Sequence, residues 1–164
     1  MEIPLRSLEQ LAPFATAGEL VAKRREPLIF VAPQASVLDA LQLMADKHIG
    51  FLVVLENGKL AGVVSERDFA RRVLLARLAP AEVTVREIMA TRVHTVPPAS
   101  RIPECIAVMH QHGVRHLPVA VDNRVAGVLS VRDLMGSLIE RHERLLRRLQ
   151  EERLTLLFPD PSSY

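Results

Sequence analysis

The stretch GVVSERDF, residues 62–69, returns further along the chain as GVLSVRDL, residues 127–134. Gly62, Val63, Ser65, Arg67 and Asp68 meet Gly127, Val128, Ser130, Arg132 and Asp133 at a constant offset of 65 positions. Carried backwards, that offset aligns residues 31–69 with 96–134 without a gap. Val31/Val96, Pro33/Pro98, Met44/Met109 and Val54/Val119 are identical across it, and Leu41/Ile106, Leu43/Val108 and Ile49/Val114 stay apolar. A register that survives turns as well as helices points to duplication, which governs any reading of fold.

Each copy predicts the same elements. A short extended piece (Ile29–Ala32, then His94–Pro97) precedes Pro33 or Pro98, placed in loops where a missing N–H does little harm. A helix follows, with Ser36 as N-cap and Asp39 three residues on in the first copy, and Ser100 as the expected cap in the second. Pro103 falls in the first turn, and Gly113 closes the second-copy helix where His48 closes the first. Two apolar strands come next, Phe51–Leu55 and Leu60–Val64 around an Asn57-Gly58 turn, then Leu117–Val121 and Val125–Leu129 around Asp122-Asn123-Arg124. Strands this apolar are expected to be covered on both faces. A further helix starts after Ser65 and after Ser130. The expected fold is therefore α+β, two β-α-β-β-α units with an extended C-terminal helix over about Val131–Leu156. The boundaries are an N-terminal segment 1–26, repeats 27–79 and 93–140, a linker 80–92 and an extension with tail 141–164. In the linker, Thr84 and Glu87 form a capping box for a short turn.

Ser-x-x-Asp at a helix start has a plain structural meaning: the serine caps and the aspartate bonds back to it. The same geometry suits a ligand. Free N–H groups and a hydroxyl at a helix origin attract an anion, and a carboxylate one turn in accepts the paired hydroxyls of a ribose. Arg67 and Arg132 are permanently charged and long enough to reach a phosphate.

The doubled phrase, the hairpin VVLENGKLAGVVS and the stretch VRHLPVAVDNRVAGVLS together resemble a tandem pair of CBS domains, in particular the small stand-alone bacterial CBS-pair proteins, over residues 26–140. The resemblance implies a pseudo-twofold module with two clefts that take AMP, ADP, ATP, NAD or S-adenosylmethionine. It implies phosphate at Ser65 and Ser130 and ribose at Asp68 and Asp133. It also draws Ile29, Val31, Ala32, Ile49, Gly50 and Phe51 into the clefts, with His94, Val96, Val114, Arg115 and His116 in the second copy. Two departures from the family pattern, Ala90 in the linker and Val131-Arg132 in the second phrase, leave room for unequal clefts.

Composition narrows the alternatives. With 21 Lys+Arg against 19 Asp+Glu and few aromatics, the chain gives little support to nucleic-acid binding. The alternative of a nucleic-acid regulator would rest on the basic run 23–25 and the arginines of the last helix. One cysteine, Cys105, permits no intrachain disulfide and fits a reducing cytoplasm. The run FLVVL (51–55) is too short to cross a bilayer, and MEIPLRSLEQ does not read as a signal peptide. His110, His112 and His116 invite a metal, but the break at Gly113 spoils their helical spacing and no carboxylate or cysteine completes a set. Cys105 reads as a small packed residue, no catalytic triad stands out, and no enzyme is expected. In the last helix Leu134, Leu138, Ile139, His142, Leu145, Leu146 and Leu149 form a stripe expected to bury against a second subunit in a homodimer, and the downstream protein that receives the signal is not named by the sequence.

Overall fold

The computed structural model describes residues 12–24 and 27–157. The early apolar positions Leu5, Leu8 and Leu11, Arg25 of the basic run and the tail around Pro159 lie outside the described residues. In chain order the elements are α1 (Ala17–Lys23), β1 (Phe30–Val31), α2 (Val37–Lys47), β2 (Phe51–Glu56), β3 (Lys59–Ser65) and α3 (Glu66–Phe69). A π-helical turn (Ala70–Leu74) follows, then α4 (Val85–Ile88), α5 (Ile102–His112), β4 (His116–Val121), β5 (Arg124–Ser130) and α6 (Val131–Leu157).

Local chemistry sets most boundaries. The Ser36 Oγ accepts the Asp39 N–H at 3.0 Å and donates to the Asp39 carboxylate at 2.7 Å, which starts α2. His48 ends it in the left-handed region at φ 53°, and Gly113 ends α5 in the same way at φ 62°. The buried faces, Val37, Ala40 and Met44 on α2 and Ile102, Cys105 and Met109 on α5, occupy matching positions of the two copies. The expected cap Ser100 is displaced by one residue: Arg101 is the N-cap, its N–H donating to Glu104 at 2.9 Å. Ser100 instead gives its carbonyl to Ala17 N–H at 2.8 Å, because the residues before α1 run beside it and bridge Thr16 to Arg101.

The strands repeat the 65-residue offset down to their irregularities. In the first copy Val31 pairs in parallel with Val54; in the second, where the expected strand His94–Pro97 is reduced to one bridge, Val96 pairs in parallel with Val119. The antiparallel hairpins carry a bulge at Val54/Leu55 and again at Val119/Ala120. Leu52, Val54, Leu117, Val119 and Leu129 are fully buried, each contributing about 1.5–3 kcal/mol of apolar burial. The helices after the two phrases differ. The first shortens to one turn of α3 plus the π-helical turn, and Arg77 closes the stretch at φ 57°. The second continues for 27 residues.

Two flanking helices complete the cores, and they do so crosswise. The linker helix α4 packs on the first repeat, with Val37 N–H to Val83 O and Val85 N–H to Ala35 O both at 2.9 Å. Helix α1, which precedes the first repeat, packs on the second, with Ala17 buried among Val96, Ile102 and Leu129. Thr16 and Glu19 cap α1 as Thr84 and Glu87 cap α4. Gly62 and Gly127, equivalent in the two copies, permit these approaches. A Cβ at Gly62 would lie 2.8 Å from the Ala90 carbonyl oxygen, and one at Gly127 would lie 2.4 Å from Val21 Cγ1.

The expected apolar stripe of the last helix divides between two faces. Leu134 is buried and Leu138 packs on the second core, while Ile139, Leu146 and Leu149 are exposed together with Met135. Arg141 is drawn inward, its Nε donating to Ala12 O at 2.7 Å and its guanidinium lying 3.9 Å over the Phe14 ring.

Candidate ligand-binding site

Both Ser-x-x-Asp phrases sit where a strand turns into a helix, and both form complete capping boxes. Ser65 donates its N–H (2.9 Å) and its hydroxyl (2.6 Å) to Asp68 Oδ2. Ser130 does the same to Asp133 Oδ2 at 2.6 and 2.5 Å. The first helical N–H of each is also committed: Glu66 donates to Gly50 O at 3.2 Å and Val131 to Arg115 O at 3.0 Å. The serine hydroxyls are therefore spent on their own aspartates. Among the described residues no donor reaches Oδ1 of either carboxylate.

The residues expected around these phrases divide by burial. Val31 and Val96 are buried in the sheets and hold their neighbours in register. Ile29, Ile49 and Val114 pack half-buried on the two cores, and Ala32 is exposed, its carbonyl accepting the Ala35 N–H. Arg67, Arg115 and Arg132 are exposed, while Ser65, Asp68, Ser130 and Asp133 are half-buried.

Phe51 and His116 open the equivalent strands and stack on each other, centroids 4.6 Å apart and planes 12° from parallel. His94 stacks on His112 at 3.6 Å. Burial pushes the His116 imidazole below its ordinary value, and Arg115 adds to that while Asp133 opposes it. His116 thus lies within electrostatic reach of the second phrase.

The second carboxylate has a partner that sequence reasoning missed. Arg24, from the end of α1, forms an ion pair with Asp133 Oδ2 and donates to Val128 O at 3.0 Å. Lys23 beside it reaches both oxygens of Glu140, at 2.9 and 2.8 Å. Burial works against ionisation of Asp133, but the Ser130 hydroxyl and amide and the Arg24 guanidinium prevail and hold its carboxyl below the usual aspartate value. A cavity of about 290 Å³ opens between α1 and α6, lined in part by Lys23, Arg24, Arg132, Asp133, Ser137 and Glu140. Its size is near the lower end for small-molecule sites, roughly 300 Å³. The available signal is the Thr-x-x-Glu box at 16–19, matched by the one at 84–87, with the basic run beginning four residues after Glu19.

Among the described residues no three metal-ligating side chains converge, and no helix is long and apolar enough to cross a membrane. Cys105 is buried, which raises its thiol pKa, with Glu104 adding to the shift.

The sequence profile of the CBS domain matches residues 17–75 and again 85–140. The chain belongs to the CBS domain family and carries two copies of the domain. Among solved structures it is similar to a protein with CBS domains from Burkholderia ambifaria MC40-6, at 36% identity and a TM-score of 0.70, covering 77% of this chain and 95% of that one. The fold is shared with the CBS domain pair of the protein MJ0100, at 23% identity and a TM-score of 0.65, covering 76% of this chain and 95% of that one. Among curated relatives, the mitochondrial CBS domain-containing protein CBSX3 of Arabidopsis thaliana is 29% identical over 119 residues, 70% of this chain. The chain spans 58% of that protein's length.

Proposed function

We propose that this chain is a non-catalytic regulatory module that binds an adenosine-containing ligand, of the AMP, ADP, ATP or NAD class, at its two Ser-x-x-Asp phrases. The observation that carries the reading is the duplicated carboxylate at a helix origin whose Oδ1 no described residue occupies. A carboxylate only accepts hydrogen bonds, so a ribose hydroxyl is a fitting donor. Arg67 and Arg132 stand one residue before each aspartate with no ion pair among the described residues, and they supply positive charge for a phosphate. Two relatives support the class. The MJ0100 pair was solved with 5′-methylthioadenosine and S-adenosyl-L-methionine, both adenosine compounds. The Burkholderia protein is described as a signal-transduction protein.

The working unit in this reading is a homodimer in the cytoplasm. Leu74 of the first copy and Ile139 of the second occupy equivalent positions, and both are exposed, at 63% and 57%. Leu75, Met135, Leu146 and Leu149 extend the apolar surface on each side. A nucleic-acid role draws less support, because Lys23, Arg24 and Arg141 are engaged within the chain.

Calorimetry and thermal shift with AMP, ADP, ATP, NAD, NADH and S-adenosylmethionine test the reading. A ligand at a hundred times its Kd stabilises the fold by about 2.7 kcal/mol. Absence of heat and of any melting shift with all six ligands would refute it.

A further inference from the structure

We propose that Arg24 is a tethered competitor for the second ligand cleft, so that a ribose diol reaching Asp133 must displace the end of helix α1. This deepens the nucleotide-binding reading and rests on it. An ionised carboxylate only accepts hydrogen bonds, and all its donors share one negative charge. Asp133 Oδ2 already takes three donors: the Ser130 N–H, the Ser130 hydroxyl and the Arg24 guanidinium. A bidentate grip on a diol needs both oxygens, and the guanidinium is the donor that can leave without uncapping α6. Asp68 Oδ2 takes only the two donors of Ser65, and no described cation joins it.

The asymmetry has a structural cause. Counted from the capping threonines Thr16 and Thr84, Arg92 in the linker stands where Arg24 stands after α1. Helix α1 runs seven residues and carries Arg24 onward in helical conformation to the carboxylate. Helix α4 stops at Ile88; Met89 turns extended, with ψ 151°, and Ala90 bridges to Val63. That turn takes the chain along β3, and no described ion pair links Arg92 to the first phrase. One cleft is thus open at its carboxylate and the other is latched by α1. Lys23 with Glu140, and Arg24 with Val128 O, are the further contacts that hold the latch.

The test uses the full chain carrying Asp68→Ala, which removes the diol acceptor of the first cleft so that any diol preference reports the second, and titrates it with AMP and with 2′-deoxy-AMP. Both probes carry the same phosphate, so their affinity ratio isolates the diol. Adding Arg24→Gln is expected to raise the preference for AMP about fivefold, the scale of a part-exposed ion pair. An unchanged or lower ratio overturns the latch and leaves the nucleotide reading standing; no binding of either probe to any variant or to the parent chain removes both. Hydrogen exchange on the chain with Arg24 intact gives an independent check. AMP is expected to speed exchange of the α1 amides in the Asp68→Ala protein, and slower or unchanged exchange there overturns the proposal.

Discussion

Phe51 and His116 are the same position of two copies of one domain, and they lie ring on ring, centroids 4.6 Å apart. A contact between equivalents marks the pseudo-twofold axis, and the repeats meet again where Leu60 N–H donates to Asn123 O at 2.8 Å. Each residue also follows directly on the carbonyl, Gly50 or Arg115, that holds the first N–H of the helix after its phrase. The stack and the two candidate grips are therefore parts of one joint.

His116 gives that joint an acid limit. Its pKa is lowered by burial first and by Arg115 second, with Asp133 opposing. The unfolded chain then takes up this proton at a higher pH than the folded one. The contribution is fully present above the ordinary value of 6.5 and is lost as pH falls below it. His116→Phe keeps a stacked ring and removes the titration. The drop in melting temperature between pH 7.5 and pH 5.5 is expected to shrink in the variant; an equal drop in both proteins counts against the assignment.

Asp68→Ala and Asp133→Ala should each weaken adenosine-ligand binding at their own phrase by about tenfold or more, since a hydrogen bond to a charged group contributes about 1.5–3 kcal/mol. Each also removes a capping box and should cost about 1 kcal/mol of stability without any ligand. Melting temperature alone would confuse the two effects, so calorimetric affinity is the measurement. Full affinity in the double variant would sink the assignment.

Gly127→Ala should loosen α1 from the second repeat. Its new Cβ falls 2.4 Å from Val21 Cγ1, a side-chain tip, so the loss of about 1–3 kcal/mol should be largely recovered by adding Val21→Ala. Gly62→Ala meets the Ala90 carbonyl oxygen at 2.8 Å, which no side-chain trimming moves. Denaturant melts of the two singles and of the Gly127/Val21 double variant check both statements; failure of Val21→Ala to recover stability would show that the clash is not the cause.

Ile139→Glu and Leu74→Glu place a charge at equivalent exposed apolar sites. If these faces join two copies, each variant should weaken the dimer by at least about tenfold, because burying an unpaired charge is costly. Sedimentation against the parent chain reads this directly. A parent chain that sediments as a monomer, or variants with unaltered association, would exclude the proposed interface.

Sequence alone determined what depends on near neighbours and on the duplication. Ser36 with Asp39, Thr84 with Glu87, both Ser-x-x-Asp boxes, the Asn57-Gly58 turn and the αL residues His48 and Gly113 are interactions within a few positions, legible from residue type and spacing. At the start of α5 residue type favours Ser100 as the cap, whereas Arg101, the position equivalent to Ser36, holds it because the neighbouring chain bridges there through Thr16. Tertiary structure alone decided that α1 crosses to the second repeat, that Arg24 meets Asp133 across more than a hundred residues, and that one leucine stripe divides between the core and the surface. Such pairings arise when two packed surfaces bring distant side chains together, and no local periodicity encodes that distance.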